Sequence, residues 1–245
     1  MAGELRPYWQ SADGLIKVYH APCEAVIASV LPVREVALVH ADPPYGIKLD
    51  TRAGKTPRRG AAIGARNDFP PVHGDDRLFN PAPLFALDRP LVLWGANHYS
   101  ERVPGSPSWI LWDKKCGGTP DDNADGELAW SNLGGPLRIF RHLWRGMIKA
   151  SERASKRLAP TQKPIALSAY VFGRAKLKRG DLVFVPYLGS GPDLPAAQAM
   201  GLRVIACDVE RWCCDTAISR LGAITADRAA EPCGPLFAGV ESVRK

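Results

Sequence analysis

The stretch that decides the fold is DLVFVPYLGSGPDLPAAQAMGLRVIACD, residues 181–208. The apolar run Asp181–Val185 predicts a strand buried on both faces, as in parallel sheets. A glycine turn, Gly189-Ser190-Gly191, separates it from a predicted helix, Asp193–Met200, and a second apolar strand follows at Arg203–Asp208. This order of strand, turn, helix and strand predicts a doubly wound α/β sheet.

The glycine turn and the end of the following strand together predict a nucleoside site. Gly189 and Gly191 let the backbone approach a ligand closely, and Asp208 would accept hydrogen bonds from the two hydroxyls of a ribose. The turn has only two glycines, and none stands where a third would receive a pyrophosphate. A nucleoside without phosphates is therefore the better ligand, and S-adenosyl-methionine fits that description.

A second stretch of interest precedes this unit by more than a hundred residues. The strand predicted at Val36–Val39 runs into Asp42-Pro43-Pro44-Tyr45, where two prolines fix the backbone of an elbow. The Asp42 carboxylate and the Pro43 carbonyl would form a pair of acceptors for an amino group, and the Tyr45 ring offers a stacking face. This elbow suits a flat base with an exocyclic amine, although the same tetrapeptide is compatible with a turn that only closes a buried strand.

The rest of the chain alternates predicted strands and helices. The prediction is one domain over residues 1–225, with DNA-contacting insertions at 46–75 and 113–158, and a C-terminal tail at 226–245. The further strands are predicted at Gly14–His20, Pro90–Gly95, Trp109–Asp113 and Glu127–Trp130, and the further helices at Cys23–Leu31, Leu84–Leu87, Ile165–Ala175 and Arg211–Leu221. Residues Tyr8–Ala12 are predicted to be an unstructured lead-in, and Leu137–Met147 a strand followed by a loop.

The bulk composition is that of a soluble globular enzyme. The 245 residues are 46% hydrophobic and 23% charged, which is enough to bury a sizeable core. The six cysteines include no CxxC pair and no zinc-finger spacing, so we expect reduced thiols and no metal site. No segment has the length of a signal peptide core or a membrane span, so no membrane association is expected.

The positive charge is clustered in two blocks. The formal charge is +7 and the pI is near 9.2. The blocks predict contacts to the phosphates of double-stranded DNA, although a solvated basic surface would have the same composition. The candidate DNA-binding residues are Lys48, Arg52, Lys55, Arg58 and Arg59 in the first block, and Arg138, Arg141 and Arg145 in the second.

Three ordered motifs resemble the signature of the amino-group DNA methyltransferases of the permuted β class. They are Asp42–Tyr45, Pro160-Thr161-Gln162-Lys163-Pro164 and Pro186–Gly191. In that family the catalytic tetrapeptide precedes the cofactor motif. The chain also resembles phage and prophage adenine methyltransferases in three further segments, Leu93–Tyr99, Trp109–Lys114 and Phe140–Trp144. The resemblance implies a single Rossmann-like α/β domain that depends on S-adenosyl-methionine.

The resemblance also implies residue roles. Asp42 and Pro43, followed by Pro44, would accept hydrogen bonds from the target amine, and Tyr45 would stack on a base flipped out of the duplex. The implied cofactor-binding residues are Gly189, Ser190, Gly191, Asp208, Thr161 and Lys163.

The implied activity is transfer of a methyl group to the 6-amino group of adenine in DNA. The DPPY form is more typical of adenine enzymes, whereas cytosine enzymes usually have Ser at the first position. A site-specific enzyme of this kind, as in restriction-modification, would act in the cytoplasm of a bacterium or a phage-infected cell, as a monomer or homodimer. The alternatives are a cytosine 4-amino methyltransferase, an inactive relative that binds DNA or a partner, and an enzyme that methylates RNA or protein glutamine.

Four positions depart from the family pattern on the cofactor side. The family usually has an acid at the position of Val185 and His at that of Ala159. It usually has Thr after the glycine turn, where this chain has Pro192-Asp193, and Gly-Asp near His20-Ala21. Loss of the acid would remove a partner for the cofactor's ammonium group. Asp193, at the start of the next helix, is the candidate substitute.

Overall fold

The computed structural model describes residues 5–51, 69–118, 124–145, 148–153 and 155–230, with side chains described up to residue 222. The predicted DNA-binding residues Arg52, Lys55, Arg58 and Arg59 lie outside these ranges, as does most of the predicted tail.

Strands and α-helices largely alternate in the first and last parts of the chain, whereas the described residues from 91 to 149 form successive strands with no α-helix between them. The strands are β1 (Trp9–Gln10), β2 (Ile16–His20), β3 (Val36–Ala41), β4 (Leu91–Trp94), β5 (Trp109–Asp113), β6 (Gly126–Ser131), β7 (Arg138–Arg141), β8 (Trp144–Arg145), β9 (Ile148–Lys149), β10 (Leu182–Val185) and β11 (Arg203–Asp208). The helices are α1 (Cys23–Ser29), α2 (Ala82–Phe85), α3 (Ile165–Arg174), α4 (Asp193–Met200) and α5 (Arg211–Ala230).

Nine of these strands form one sheet in the order β1-β2-β11-β10-β3-β4-β6-β5-β7. The five strands from β2 to β4 are parallel to one another, whereas β6 is antiparallel to both of its neighbours. The described parts of β8 and β9 form a separate antiparallel pair. The large, mostly parallel sheet confirms the predicted α/β class.

Both faces of the parallel strands are buried, which explains their continuous apolar sequences. In β10, Val183 and Val185 belong to the cluster under α3, α4 and α5, whereas Leu182 and Phe184 belong to the cluster under α1 and α2. Phe184 is fully buried. Burial of each such side chain stabilises the fold by about 1.5–3 kcal/mol relative to exposure.

The central strands β3 and β10 are parallel neighbours from which the chain continues in opposite directions across the sheet. From β10 the chain returns through α4 to β11 on one side, while from β3 it continues to β4 on the other. Because the two connections diverge, the carboxyl ends of β3 and β10 lie next to each other with no crossover between them. The Asp42–Tyr45 elbow and the Gly189–Gly191 turn follow these two strands directly.

Three sequence predictions differ from the structure. The predicted lead-in contains β1, because Trp9 and Gln10 pair with Val18 and Lys17 across a tight turn. Helix α5 does not end at Leu221 but continues to Ala230, into the predicted tail. Strand β6, inside the predicted insertion 113–158, lies within the main sheet between β4 and β5.

Candidate active site

The elbow after β3 is held by a carboxylate that comes from further along the chain. Asp75 is buried, and its two carboxylate oxygens accept hydrogen bonds from the backbone N–H groups of Gly46 (2.8 Å), Ile47 (3.1 Å) and Leu49 (2.7 Å). Gly46 has a φ of +81°, and a Cβ there would lie 2.6 Å from the Arg77 carbonyl oxygen. The chain can therefore leave the elbow in this direction only with glycine at position 46.

The Tyr45 ring packs against the turn after β4. It stacks on the His98 ring, with centroids 5.2 Å apart and planes 17° from parallel. Gly95 lies so close beneath it that a Cβ there would overlap the ring, and its φ of +69° also favours glycine. The ring orientation is thus determined by the Gly95–His98 turn.

The Tyr45 hydroxyl lies between two carboxylates. It donates to Asp42 Oδ1 at 2.8 Å and lies 3.2 Å from Glu127 Oε2. Burial raises the pKa of Tyr45 well above its ordinary value, and the charges of Asp42 and Glu127 raise it further. The hydroxyl therefore stays protonated and can donate at neutral pH.

The ammonium group of Lys163 contacts Asp42, the candidate catalytic carboxylate. Its Nζ donates to Asp42 Oδ2 (2.6 Å) and Tyr45 Oη (3.1 Å), and forms an ion pair with Glu127 Oε2 (3.0 Å). Burial alone would lower the pKa of Lys163, but Asp42 and Glu127 outweigh it and raise the pKa above its ordinary value. Lys163 is therefore a permanent cation at the elbow, whereas the sequence predicted it beside the cofactor.

Glu127, on β6, completes this charge network and was not predicted from the sequence. It pairs with Lys163 through one oxygen and with Lys114 through the other. Burial by itself would raise the pKa of Glu127, yet the two ammonium groups prevail and hold it at about 2. The network thus contains two carboxylates and two ammonium groups and has no net charge. Its members are Asp42, Glu127, Lys163 and Lys114.

The turn after β10 has two glycines with different surroundings. Gly191 has a φ of +62°, and a Cβ there would overlap the Ala217 side chain of α5. Gly189 also has a positive φ, +52°, but a Cβ there would have no atom within 4 Å. Gly191 is thus required by packing, whereas Gly189 faces open space at the end of the sheet.

Asp208, at the end of β11, supports the same turn. Its Oδ2 accepts the backbone N–H of Gly189, and its Oδ1 accepts that of Glu210, both at 2.9 Å. Burial raises the pKa of Asp208, and these two hydrogen bonds partly oppose the rise. The Cys213 thiol also hydrogen-bonds to this carboxylate. Because a carboxylate has about four acceptor positions, one remains for a hydroxyl donor.

Solved structures share this arrangement of strands and helices. The crystal structure of an M1.HpyAVI–SAM complex has a TM-score of 0.51 at 21% identity, covering 84% of this chain and 100% of that chain. The cytosine-N4-specific PvuII DNA methyltransferase has a TM-score of 0.54 at 11% identity, covering 88% of each chain. The chain has the methyltransferase fold. No family model matches it.

Within this methyltransferase fold a buried arginine that the sequence did not indicate joins three loops. Arg220 of α5 donates to the Ser190 backbone oxygen (3.2 Å), to the Lys163 backbone oxygen (2.9 Å) and to Glu152 Oε1 (2.6 Å). Arg220 therefore fixes Ser190 of the glycine turn relative to the Lys163 backbone. The predicted cofactor residue Thr161 is exposed in the loop before Lys163.

Two of the residues that depart from the family pattern, Val185 and Asp193, are buried. Asp193 Oδ1 lies 2.6 Å from His40 Nδ1, and Trp94 donates its indole N–H to His40 Nε2 at 2.8 Å. Because an indole nitrogen only donates, His40 carries its proton on Nδ1 and donates to Asp193. Asp193 is thus engaged by His40 rather than free as a substitute acid, and Val185 is buried among apolar side chains.

The described basic candidates occupy the far edge of the sheet and the loop after the elbow. Arg138 and Arg141 are exposed on the edge strand β7, where Arg141 Nε lies 3.7 Å from Asp113 Oδ2. Arg145 belongs to β8, and Lys48 is exposed with a φ of +52°. Strand β7 is thus an exposed basic edge.

In the described parts of the chain, no group of three or more His, Cys, Asp or Glu side chains is arranged to hold a metal ion. None of the helices in those parts combines the length and the apolar character needed to cross a bilayer.

Proposed function

We propose that this protein transfers a methyl group from S-adenosyl-methionine to the 6-amino group of adenine in double-stranded DNA. The main support for this proposal is a single observation. The Asp42–Tyr45 elbow and the open glycine turn follow two adjacent parallel strands, β3 and β10. An amine acceptor and a nucleoside site side by side are what methyl transfer to a base requires.

The residues around the turn fit the nucleoside part of the cofactor. The open space at Gly189 would admit a ligand against the backbone, and Asp208 retains an acceptor position for a ribose hydroxyl. The family's usual acid is replaced by the buried Val185, so the cofactor's ammonium group would need another partner. The cofactor, when bound, supplies a methyl group activated by a positively charged sulfur.

The elbow would orient the target amine. Asp42 and the Pro43 carbonyl accept its two N–H groups, which directs the nitrogen lone pair toward the methyl carbon. Tyr45, supported by His98, would stack on the flipped base. As the new N–C bond forms, the C–S bond breaks and the nitrogen becomes positively charged. The Asp42 carboxylate stabilises that charge and is the nearest acceptor for the released proton.

The basic groups would hold the duplex. Arg138, Arg141 and Arg145, with Lys48 beside the elbow, would neutralise phosphates, which makes DNA binding salt-dependent. The roles of Arg52, Lys55, Arg58 and Arg59 in the same interface remain part of the proposal.

The adenine preference rests on the Asp42-Pro43-Pro44-Tyr45 tetrapeptide, whose resemblance is to adenine enzymes. The PvuII enzyme, which shares the fold, is cytosine-N4-specific by its name, so the 4-amino group of cytosine is the second candidate. An inactive relative is the third, because Val185 and Asp193 alter the cofactor side.

The test measures transfer of labelled methyl groups to unmethylated duplex DNA. Wild type is expected to label the DNA, and Asp42→Asn to lose at least about 100-fold in rate because the acceptor loses its charge. Asp88→Asn is the matched control, because Asp88 precedes β4 at the opposite edge of the sheet. Equal rates for Asp42→Asn and wild type would refute the role of the elbow, and no transfer by wild type would refute the proposed activity.

A further inference from the structure

The charge network at the elbow contains one ammonium group shared by two carboxylates. We propose that Glu127 is a positioning residue that draws Lys163 partly away from Asp42, so that Asp42 keeps enough negative charge to accept the target amine. This inference rests on the proposed function, because it concerns how the elbow receives its substrate.

The geometry shows how Lys163 is shared. Its three N–H groups face three acceptors: Asp42 Oδ2 at 2.6 Å, Glu127 Oε2 at 3.0 Å and Tyr45 Oη at 3.1 Å. The Lys163 side chain is only 6% exposed, whereas that of Asp42 is 30% exposed. Asp42 can therefore be reached from outside, while the ammonium group behind it must find its partners within the protein.

The arrival of an amine changes the competition for Asp42. Its Oδ1 already accepts from Tyr45 and its Oδ2 from Lys163, so an incoming N–H must share an oxygen with one of these donors. With Glu127 present, Lys163 can weaken its bond to Asp42 and still remain ion-paired. Without that charge, Asp42 would be the one carboxylate among the described residues still paired with Lys163, and Lys163 would bind it more tightly.

The charge balance has a second consequence for the cofactor. Asp42 and Glu127 offset Lys163 and Lys114, so the network is neutral. Replacing Glu127 by Gln keeps the shape but leaves one excess positive charge. A sulfonium delivered to an amine at Asp42 must come within a few ångströms of this charge and would be repelled, whereas a neutral thioether would not.

A purely structural role for Glu127 makes different predictions. If it only fixed β6 to the elbow, its loss would lower stability and would affect both forms of the cofactor equally. Removing Lys163 as well would then add further damage. If its role is to offset charge, removing Lys163 as well restores neutrality and should recover function.

The experiment compares Glu127→Gln, Lys163→Met and the double variant with wild type and with Glu35→Gln. The control Glu35 is an exposed carboxylate paired with Arg203, away from the elbow. Two quantities are measured: kcat with KM for duplex DNA at saturating cofactor, and the ratio of calorimetric Kd values for S-adenosyl-methionine and its demethylated thioether product.

For Glu127→Gln we expect kcat to fall by about 10- to 100-fold with little change in KM for DNA. We also expect binding of S-adenosyl-methionine to weaken by about tenfold relative to binding of the thioether. Lys163→Met should move the ratio in the opposite direction. The double variant should bring the Kd ratio most of the way back to the wild-type value and restore at least part of kcat. Glu35→Gln should match wild type.

The inference would be overturned if the losses of kcat in the two single variants add up in the double variant, or if the Kd ratio is unchanged in both single variants. If wild type binds the cofactor but transfers no methyl group to DNA, the proposed function fails. The Kd ratios still decide the inference in that case, because they do not depend on turnover.

Discussion

The two glycines of the turn after β10 allow a matched comparison between packing and ligand binding. Gly191→Ala would place a methyl group in overlap with the Ala217 Cβ and 3.0 Å from its Cα, so α5 or the turn must move. An L-residue at the φ of +62° costs about 1–2 kcal/mol, and overpacking costs about 1–3 kcal/mol more. We therefore expect Gly191→Ala to lower the free energy of unfolding by about 2–5 kcal/mol.

Gly189→Ala should behave differently, although the two positions are separated only by Ser190. Its φ of +52° carries a similar conformational cost, about 1–2 kcal/mol, but the new methyl group would enter empty space. This variant should stay folded and lose affinity for S-adenosyl-methionine, since the methyl group would stand where the cofactor approaches the backbone.

Denaturant unfolding followed by calorimetric titration with the cofactor tests both expectations. Two results would contradict these expectations: an equal loss of stability in the two variants, or cofactor binding by Gly189→Ala that matches wild type. The first result would mean that contact with Ala217 does not constrain the turn. The second would mean that the open space at Gly189 is not the cofactor site.

Three further predictions concern the elbow. Gly95→Ala should displace the Tyr45 ring and abolish methyl transfer while cofactor binding persists, as rate and calorimetric measurements on one preparation would show; unchanged transfer would contradict the packing argument. Asp75→Ala should lower the free energy of unfolding by about 1–3 kcal/mol, because three backbone N–H groups lose a charged acceptor; a loss below about 0.5 kcal/mol in urea unfolding would contradict it. The pKa of Glu127 falls from its ordinary 4.5 to about 2 on folding, so its stabilisation is present above pH 4.5 and disappears as the pH falls toward 2. Wild type should therefore lose about 2 kcal/mol more than Glu127→Gln between about pH 5 and about pH 3, and parallel stability curves would exclude this contribution.

The parts of the fold that the sequence predicted well are those with a strong local pattern. Strand β11 and helix α4 have the predicted bounds, since an apolar run and a glycine stop are local signals. Strand β1 was missed because its two residues form a strand only through pairing with β2. The sequence predicts the end of α5 at Leu221 and a polar tail from residue 226, whereas the helix continues to Ala230.

Only the two contiguous motifs of the site could be predicted from the sequence. The elbow and the glycine turn are contiguous motifs, whereas only the sheet order shows that the strands before them are neighbours. The partners of the elbow are not local: Lys163 is separated from Asp42 by 121 positions, and Glu127 from Tyr45 by 82. No periodicity or spacing indicates such pairs, because the order of strands in the sheet determines which of them meet.

Identifying the nucleoside that receives the methyl group distinguishes adenine from cytosine as the target base. Random-sequence, unmethylated duplex DNA is incubated with the wild-type protein and labelled S-adenosyl-methionine, then digested to nucleosides and separated. We expect label in N6-methyl-deoxyadenosine, formed at least about 100-fold more slowly when Asp42→Asn replaces wild type. Label in deoxycytidine, or no label in any nucleoside at saturating cofactor, would contradict it.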